Sequence, residues 1–322
     1  MNLFIDTNVF LSFYHLTSDD LEELRKLSVL LEKGEVTLFL PDQVVDEFRR
    51  NRENKIADAI KKLKSQSLNL QFPQLCKDYD EYPKLRELQK QYEKEHSKII
   101  KNIIDDVEGN SLKADEIIED LFNKASLIET TDDLISNADL RMAIGNPPGK
   151  NGSLGDAIDW EALLDNVPDN EDLYLIADDR DYFSCLDENK PKEFLAREWN
   201  EKKGSNVILY RRLSPFFNEH YPDIKLASEL EKEILIRELV ASPTFATTHS
   251  VVARLSKYED FSIAQVNQIV EASLANNQIS WIIGDSDIFV FLSNLVESHK
   301  DKIEESNLQP LIKILEENAP DE

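Results

Sequence analysis

The chain has 322 residues, of which 41% are hydrophobic and 31% charged, and 63 acidic against 37 basic residues give a formal net charge of −26. This length is enough for about two domains with substantial cores. The acidic excess argues against a protein that coats nucleic acid through a broad basic surface. No apolar stretch approaches the roughly 20 residues of a membrane span, and two cysteines are too few for a disulfide framework. We therefore expect a cytoplasmic protein with no membrane association.

Residues 1 to about 221 alternate strand-like and helical segments. Short apolar runs predict buried strands at residues 3–5, 36–41, 173–179 and 206–212. Helical patterns lie between and after them, at residues 19–33, 42–68, 155–166 and 190–203. Strands that alternate with helices predict a parallel sheet built from βαβ units. The fold class expected for this section is α/β.

Two further regions are predicted to be purely helical. Charged amphipathic segments over about residues 54–140 predict an antiparallel helical arm, inserted into the sheet domain, that frames a substrate. From residue 222 to 322 the strand patterns stop and successive helices follow, with Ser262 and either Asp285 or Ser286 as N-caps. We expect this all-α C-terminal domain to bind a protein partner or to self-associate.

Acidic residues follow the first two predicted strands. Asp6 ends the first apolar run and is followed by Thr7 and Asn8. Ligands of open α/β sheets bind at the carboxyl ends of the strands, which places Asp6 well for chemistry. Glu47 lies three residues past Val44, in the helix after the second strand, so it flanks the apolar face and points toward the strand ends.

Further acids follow later segments. Asp156 begins the helix after a glycine-containing loop, and Asp159 lies one turn farther on the same side. Asp178, Asp179 and Asp181 lie where the third apolar run ends. Each acid also has a structural interpretation: Asp156 as an N-cap, for example, or Asp159 as an exposed helical acid.

Convergence of these carboxylates would require a cation. Carboxylates within a few ångströms of one another repel and raise one another's pKa. A divalent cation relieves that repulsion, and oxygen ligands suit Mg²⁺ or Mn²⁺. A pair of such ions would polarise a phosphodiester and generate the attacking hydroxide. The lack of a Cys/His ligand set argues against zinc.

Four segments of the sequence together resemble the PIN-domain nucleases, in the bacterial PIN-like branch with a large helical insertion. They are FIDTN (4–8), PDQVVDEF (41–48), GDAIDWEALL (155–164) and IADDRDYF (176–183), and the resemblance covers about residues 1–212. It implies an α/β/α sandwich and a metal-dependent endoribonuclease. Its implied catalytic metal ligands are Asp6, Glu47, Asp156 and Asp179, with Asp181 as a further ligand and Thr7, Asn8, Asp159 and Asp178 in support. Ala177 departs from the family pattern, in which a threonine or serine is usual.

Basic residues beside the acids are candidates for phosphate contacts. Arg141 and Lys150 flank the loop before Asp156, and Arg49 follows Glu47. With them, the expected activity is hydrolysis of single-stranded RNA, and family analogy suggests a toxin-like or anti-phage role. Two alternatives stay open. One is a flap-type nuclease acting on DNA, which would need a basic surface for duplex. The other is a non-catalytic scaffold, although a site that had lost its catalytic function would not need to keep the acids.

Overall fold

The structure is a computed structural model, and it describes residues 1–15, 20–66, 68, 70–109, 111–149, 154–222 and 226–319. Its contacts divide the chain into two units, Met1–Asp223 and Ile224–Glu322. At the centre of the first unit is a five-stranded parallel sheet. The strands are β1 (Asn2–Ile5), β2 (Thr37–Pro41), β3 (Ser126–Ile128), β4 (Leu173–Ile176) and β5 (Val207–Tyr210). The α/β prediction is confirmed.

The order of the strands determines where a ligand can bind. They lie in the order β3-β2-β1-β4-β5, so the chain moves outward in one direction from β1 and then returns to its other side at β4. Ile5 is paired with Ile176, and Ile176 with Tyr210, so β1, β4 and β5 end at the same level. The crevice of such a sheet opens at the carboxyl ends of its strands where the order reverses, here between β1 and β4.

Nine α-helices are described in this unit, besides a 3-10 helix at Gln74–Asp78. They are α1 (Thr7–Ser12), α2 (Leu21–Glu32), α3 (Asp42–Ser65), α4 (Glu81–Glu108), α5 (Lys113–Lys124), α6 (Asp132–Ala143), α7 (Gly155–Asn166), α8 (Glu193–Lys203) and α9 (Leu213–His220). α7 is buried over most of its length, and Trp160 on it is fully buried. α1 and α9, which are short, were not predicted from the sequence.

The inserted arm is shorter than predicted. α3 and α4 run antiparallel, since Gln89, Tyr92 and His96 of α4 contact the carbonyl oxygens of Leu68, Gln66 and Leu63 in turn. The predicted range 54–140, however, also contains β3, which pairs with β2 in the sheet. β3 was missed because it has three residues, two of them exposed, and lacks a strong apolar run. The arm is therefore the α3–α4 pair.

The second unit is described by helices alone. They are α10 (Ala227–Val240), α11 (Phe245–Leu255), α12 (Ile263–Ala275), α13 (Asn277–Ser280), α14 (Ser286–His299) and α15 (Glu305–Glu317). The predicted cap at Ser262 is confirmed, because its hydroxyl accepts from the Gln265 N–H and the Gln265 side chain accepts from the Ser262 N–H. Asp285 occupies the N-cap position of α14. No helix in the described ranges of either unit is long and apolar enough to cross a membrane.

Candidate active site

Asp6 is fixed at the carboxyl edge of the sheet by its backbone. Its N–H donates to the carbonyl oxygen of Ile176 at 2.9 Å, which ties the end of β1 to the end of β4. Its side chain is 3% exposed, and Oδ2 has no hydrogen-bond partner. Thr7, which begins α1, is also buried, and its hydroxyl likewise has no partner. Buried polar atoms are normally satisfied, so these atoms suggest a site that takes a ligand.

Three carboxylates from other elements act on Asp6. Burial raises the pKa of Asp6 to about 7, and the negative charges of Asp156, Glu47 and Asp179 add to the rise, while the backbone N–H of Asn8 opposes it. Asp156 lies in the first turn of α7, Glu47 lies in α3, and Asp179 follows β4. The structure therefore brings all four predicted catalytic acids into one electrostatic environment.

Gly155 permits Glu47 to lie against the start of α7. A Cβ atom at Gly155 would stand 3.3 Å from Oε2 of Glu47 and 2.9 Å from Nε2 of Gln43. The second distance is shorter than side chains tolerate, so the missing side chain leaves room for α3 and α7 to approach closely. That approach places Glu47 beside Asp156.

Asp159 is a buried member of the same group. It is 1% exposed, and Oδ1 has no hydrogen-bond partner. Burial raises its pKa well above the ordinary value, and the charges of Asp6, Asp156 and Glu47 raise it further. The alternative interpretation of Asp159 as an exposed helical acid is therefore wrong.

Tyr182 was missed by the sequence analysis. Its side chain is fully buried and its hydroxyl has no hydrogen-bond partner. Burial raises the pKa of Tyr182 well above its ordinary value. The negative charges of four nearby acids raise it further: Asp156, Asp6, Asp159 and Asp179. The phenol thus stays protonated and is a potential donor to the carboxylates. The only sequence signal for Tyr182 was its place directly after Asp181, and a tyrosine at that place is equally typical of an ordinary core residue.

The other two aspartates of the ADDRD segment contact cations. Oδ1 of Asp178 lies 3.4 Å from Nη1 of Arg211, and Asp178 is well exposed. Oδ1 of Asp181 lies 3.8 Å from Nζ of Lys192, and the Asp181 N–H donates to Oδ1 of Asp179. The role of Asp181 as a metal ligand stays a prediction.

The structure corrects the prediction for Arg141. Its side chain is buried, and it donates to Glu161 at 2.6 Å, to Glu198 at 2.7 Å and to the carbonyl oxygen of Pro147. Although burial acts to lower the pKa of Arg141, the bonds to Glu198 and Glu161 raise it. A guanidinium enclosed in this way cannot contact a phosphate. Sequence reasoning missed the burial because the two partners come from α7 and α8, far along the chain.

Of the other two predicted phosphate contacts, the structure describes only Arg49. Lys150 lies outside the described residues. Arg49 is exposed, but it lines a pocket between α3 and α5 whose other residues include Glu116 and Glu119. Its predicted role in RNA binding gains no support from that position.

A pocket of about 770 Å³ opens beside the acids instead. Asn8, Asp178 and Asp179 line one part of it, and its basic lining residues are His15, Lys55, Arg211 and Arg212. Arg211 and Arg212 directly follow β5, whose end is level with those of β1 and β4. The sequence contained this signal, because NVILYRR places both arginines at the carboxyl end of a strand.

The acids suit a hard divalent cation in the type of donor atom they offer. Within the described ranges, no group of three or more His, Cys, Asp or Glu side chains is arranged to hold a metal ion. Unpartnered oxygens are nevertheless present on Asp6 and Asp159, and the surrounding charge is negative. Mg²⁺ keeps several of its waters and is commonly held by one or two carboxylates, so it does not require a complete protein cage. The residues therefore fit Mg²⁺ or Mn²⁺ by donor type.

Comparison with known proteins gave one match. A family model described as PIN domain matches residues 3–182, which is more than half of the chain and spans all the predicted acids. No curated protein and no solved structure matches the chain. The family expectation from the four sequence segments is confirmed. The chain belongs to the PIN-domain family, whose members are generally nucleases and typically use divalent metal ions.

Proposed function

We propose that this protein is a metal-dependent endoribonuclease that hydrolyses phosphodiester bonds in single-stranded RNA. The observation that carries the proposal is the buried Asp6 carboxylate, surrounded by the charges of Asp156, Glu47 and Asp179 at the carboxyl edge of the sheet. Burial of the Asp6 carboxylate near three further acids is costly, and a bound divalent cation would offset that cost.

The protein groups would divide the work as follows. Asp6, Glu47, Asp156 and Asp179 would hold Mg²⁺ or Mn²⁺, which when bound polarises the phosphodiester and promotes ionisation of the attacking water. Asp159 is buried beside these acids with an unpartnered carboxylate oxygen, and the protonated Tyr182 is available to orient a neighbouring carboxylate. The position of Asp6 between β1 and β4 places the reaction at the mouth of the sheet crevice.

The preference for a single strand rests on charge. A formal charge of −26 leaves little basic surface to embrace a DNA duplex, which carries two charged backbones. A single strand needs only a few local cations along one backbone. A toxin-like or anti-phage setting is supported by family analogy alone and stays a prediction.

The direct test is cleavage of end-labelled single-stranded RNA, single-stranded DNA and flap DNA, each with Mn²⁺, with Mg²⁺ and with EDTA. We expect RNA cleavage that requires the metal ion and is lost in Asp6→Asn. Asp139→Asn, an exposed change on α6, is the matched control and should cleave like the wild type. Equal cleavage by wild type and Asp6→Asn would show that the activity comes from elsewhere, and cleavage confined to flap DNA would replace RNA as the substrate.

We propose a second role, partner binding or self-association, for the C-terminal unit. Phe245 and Trp281 pack ring to ring at a centroid distance of 6.4 Å, yet they are 42% and 70% exposed. Large exposed aromatic side chains in contact are typical of interaction surfaces. Light scattering over a range of concentrations, with Trp281→Ala as the comparison, tests self-association. A monomer at all concentrations would leave a different protein as the partner to be sought.

A further inference from the structure

We infer that Lys55, Arg211 and Arg212 form a phosphate-binding subsite, which holds the RNA backbone beside the bond that is cleaved. This inference rests on the proposed function and goes beyond it by assigning residues that neither the sequence motifs nor the family match identifies. Its basis is the 770 Å³ pocket, which is lined by these three cations together with Asn8 and Asp179.

The three cations reach the pocket from two sides. Lys55 lies in α3, eight positions after Glu47, which places it about 12 Å along the helix and about 80° around it. Arg211 and Arg212 come from the end of β5. A single RNA strand that passes the acids would therefore contact basic side chains from the helical arm on one side and from the sheet edge on the other.

Arg211 is held in position without being enclosed. Its guanidinium lies over the ring of Phe183, 4.1 Å from the centroid. Nη1 is 3.4 Å from Asp178, and Nη2 is 3.3 Å from the carbonyl oxygen of Glu188. Side-chain exposures of 34% for Arg211 and 72% for Asp178 make this a weak surface pair that a phosphate can replace. The planar guanidinium can then bind phosphate oxygens in pairs.

Balancing of nearby acids is the simpler explanation of these cations, and a comparison within the chain speaks against it. Arg52 and Arg141 balance acids through short contacts: Nε of Arg52 lies 2.6 Å from Asp115, and Nε of Arg141 lies 2.6 Å from Glu161. The contacts of Arg211 are distinctly longer, and Lys55 and Arg212 are exposed in the wall of the pocket. The three cations are thus arranged for exchange with a ligand.

The local position of the cations also answers an electrostatic difficulty. A polyanion approaching a chain of charge −26 is repelled at long range, but salt screens that repulsion beyond about 8 Å at physiological ionic strength. Cations that touch the backbone act within this distance. Three of them beside the acids would hold the phosphates that flank the reacting one.

The test is RNA binding separated from cleavage. In the Asp6→Asn background with Mg²⁺ present, fluorescence anisotropy measures the affinity for a short labelled single-stranded oligoribonucleotide at several KCl concentrations. We expect Lys55→Gln, Arg211→Gln and Arg212→Gln each to weaken binding roughly 3- to 10-fold and to reduce the slope of log Kd against log salt by about 0.7. Asp178→Asn should tighten binding, because it releases Arg211 from its competing partner.

Two matched controls make the result specific. Lys61→Gln removes an exposed lysine of the same helix, α3, and Arg197→Gln removes an exposed arginine of α8. Both should bind RNA like the background protein. If the three pocket variants also bind like the background, or if they weaken binding no more than the controls, the subsite is excluded.

Failure of the subsite and failure of the proposed function give different results. Binding that depends on the three cations, together with no cleavage by the wild type under any metal, would overturn the nuclease proposal and leave the subsite in place. Metal-dependent cleavage by the wild type, together with unchanged affinity in the pocket variants, would overturn the subsite alone.

Discussion

Helix α7 carries acidic residues that belong to two groups, one acidic and one with paired charges. Asp156 and Asp159 belong to the acidic group around Asp6, and the pKa values of Asp6 and Asp159 are raised by burial and by neighbouring carboxylates of the described residues. Glu161, two residues later, belongs to the network of Arg141, Glu198 and Trp160, in which the charges are paired. Trp160 donates to Glu198 at 2.9 Å, so the paired network is also tied into the core.

The difference separates stability from function. Buried charge is tolerated when it is paired and hydrogen-bonded, and the Arg141 network meets that condition with short contacts on both glutamates. The effect is visible on Glu198: although burial acts to raise its pKa, bonds from Arg141 and Trp160 hold it below the ordinary value. Around Asp6 the pKa values rise instead. The Arg141 network is balanced by a base within the protein, whereas the acids around Asp6 are the group for which we propose a bound divalent cation.

Removing Arg141 should have the largest effect on stability. Arg141→Met would leave the buried Glu161 without its partner and Glu198 with only Trp160 and Lys202 among the described residues, and breaking a buried pair costs about 3–5 kcal/mol. Urea unfolding measures the loss, with Arg197→Met as an exposed control that should change the free energy of unfolding by less than about 0.5 kcal/mol.

A second variant shows whether charge is the cause. Adding Glu161→Gln and Glu198→Gln to Arg141→Met removes the stranded charges and should recover part of the lost stability. A loss of less than about 1 kcal/mol for Arg141→Met alone would mean that the network is not the stabilising element we describe.

The acidic group should make the stability of the metal-free protein depend on pH. The pKa of Asp6 rises from 3.8 to about 7 on folding. Between these values the folded protein holds a proton that the unfolded chain has released, so the free energy of unfolding falls as the pH rises through that window. The size is on the order of a few kcal/mol, because each pKa unit corresponds to about 1.4 kcal/mol.

Urea unfolding in EDTA at pH values near the two pKa values of Asp6 measures the decrease in the free energy of unfolding. This decrease should be smaller for Asp6→Asn than for the wild type. Mn²⁺ should raise the stability of the wild type above the pKa of Asp6, by about 2.7 kcal/mol at a concentration 100 times its Kd. Asp139→Asn is again the matched control. If Asp6→Asn lost as much stability with rising pH as the wild type, Asp6 would not be the group that titrates.

The sequence predicted which acidic residues lie at strand ends and helix starts, but it did not predict which charged residues are paired. Asp6, Glu47, Asp156 and the aspartates after β4 were proposed because strand ends and helix starts are local patterns, and a parallel sheet brings such ends to one edge. The family resemblance then selected Asp179 among those aspartates. Arg141 was misassigned because its partners lie on α7 and α8, and no local pattern connects them. The arginines after β5 could have been found by the same strand-end rule that found Asp6.

The burial of Asp159 and Tyr182 could not be read in this way. Both depend on how α7 and the segment after β4 pack against the end of β1, and that packing is a property of the tertiary structure. A tyrosine beside an aspartate has no periodic signal that distinguishes a buried site from ordinary core.

Tyr182→Phe tests whether the acidic group is organised by a donor. The phenylalanine ring preserves the packing, and loss of an unpartnered buried hydroxyl should leave the metal-free stability unchanged or slightly higher. If the hydroxyl orients a carboxylate when the cation binds, Mn²⁺ affinity should fall roughly 10-fold, as for other residues that support metal ligands. Calorimetric titration measures the affinity, and Tyr258→Phe, which removes a hydroxyl that donates to Glu231 in the C-terminal unit, is the control for metal binding. Unchanged affinity would make Tyr182 a packing residue.

Gly155→Ala should give the smallest effect and test the contact between α3 and α7. The new Cβ would stand 2.9 Å from Gln43 and 3.3 Å from Glu47, and both neighbours are side-chain ends that can move aside. Stability should therefore change by less than about 1 kcal/mol, since alanine also favours the helix by a similar amount. Displacement of Glu47 should nevertheless weaken Mn²⁺ binding several-fold. Combining Gly155→Ala with Gln43→Ala removes the closer clash but keeps the one with Glu47, so the affinity should stay low. Recovery of full affinity in the double variant would assign the defect to Gln43 and remove this argument for Glu47 as a member of the acidic group.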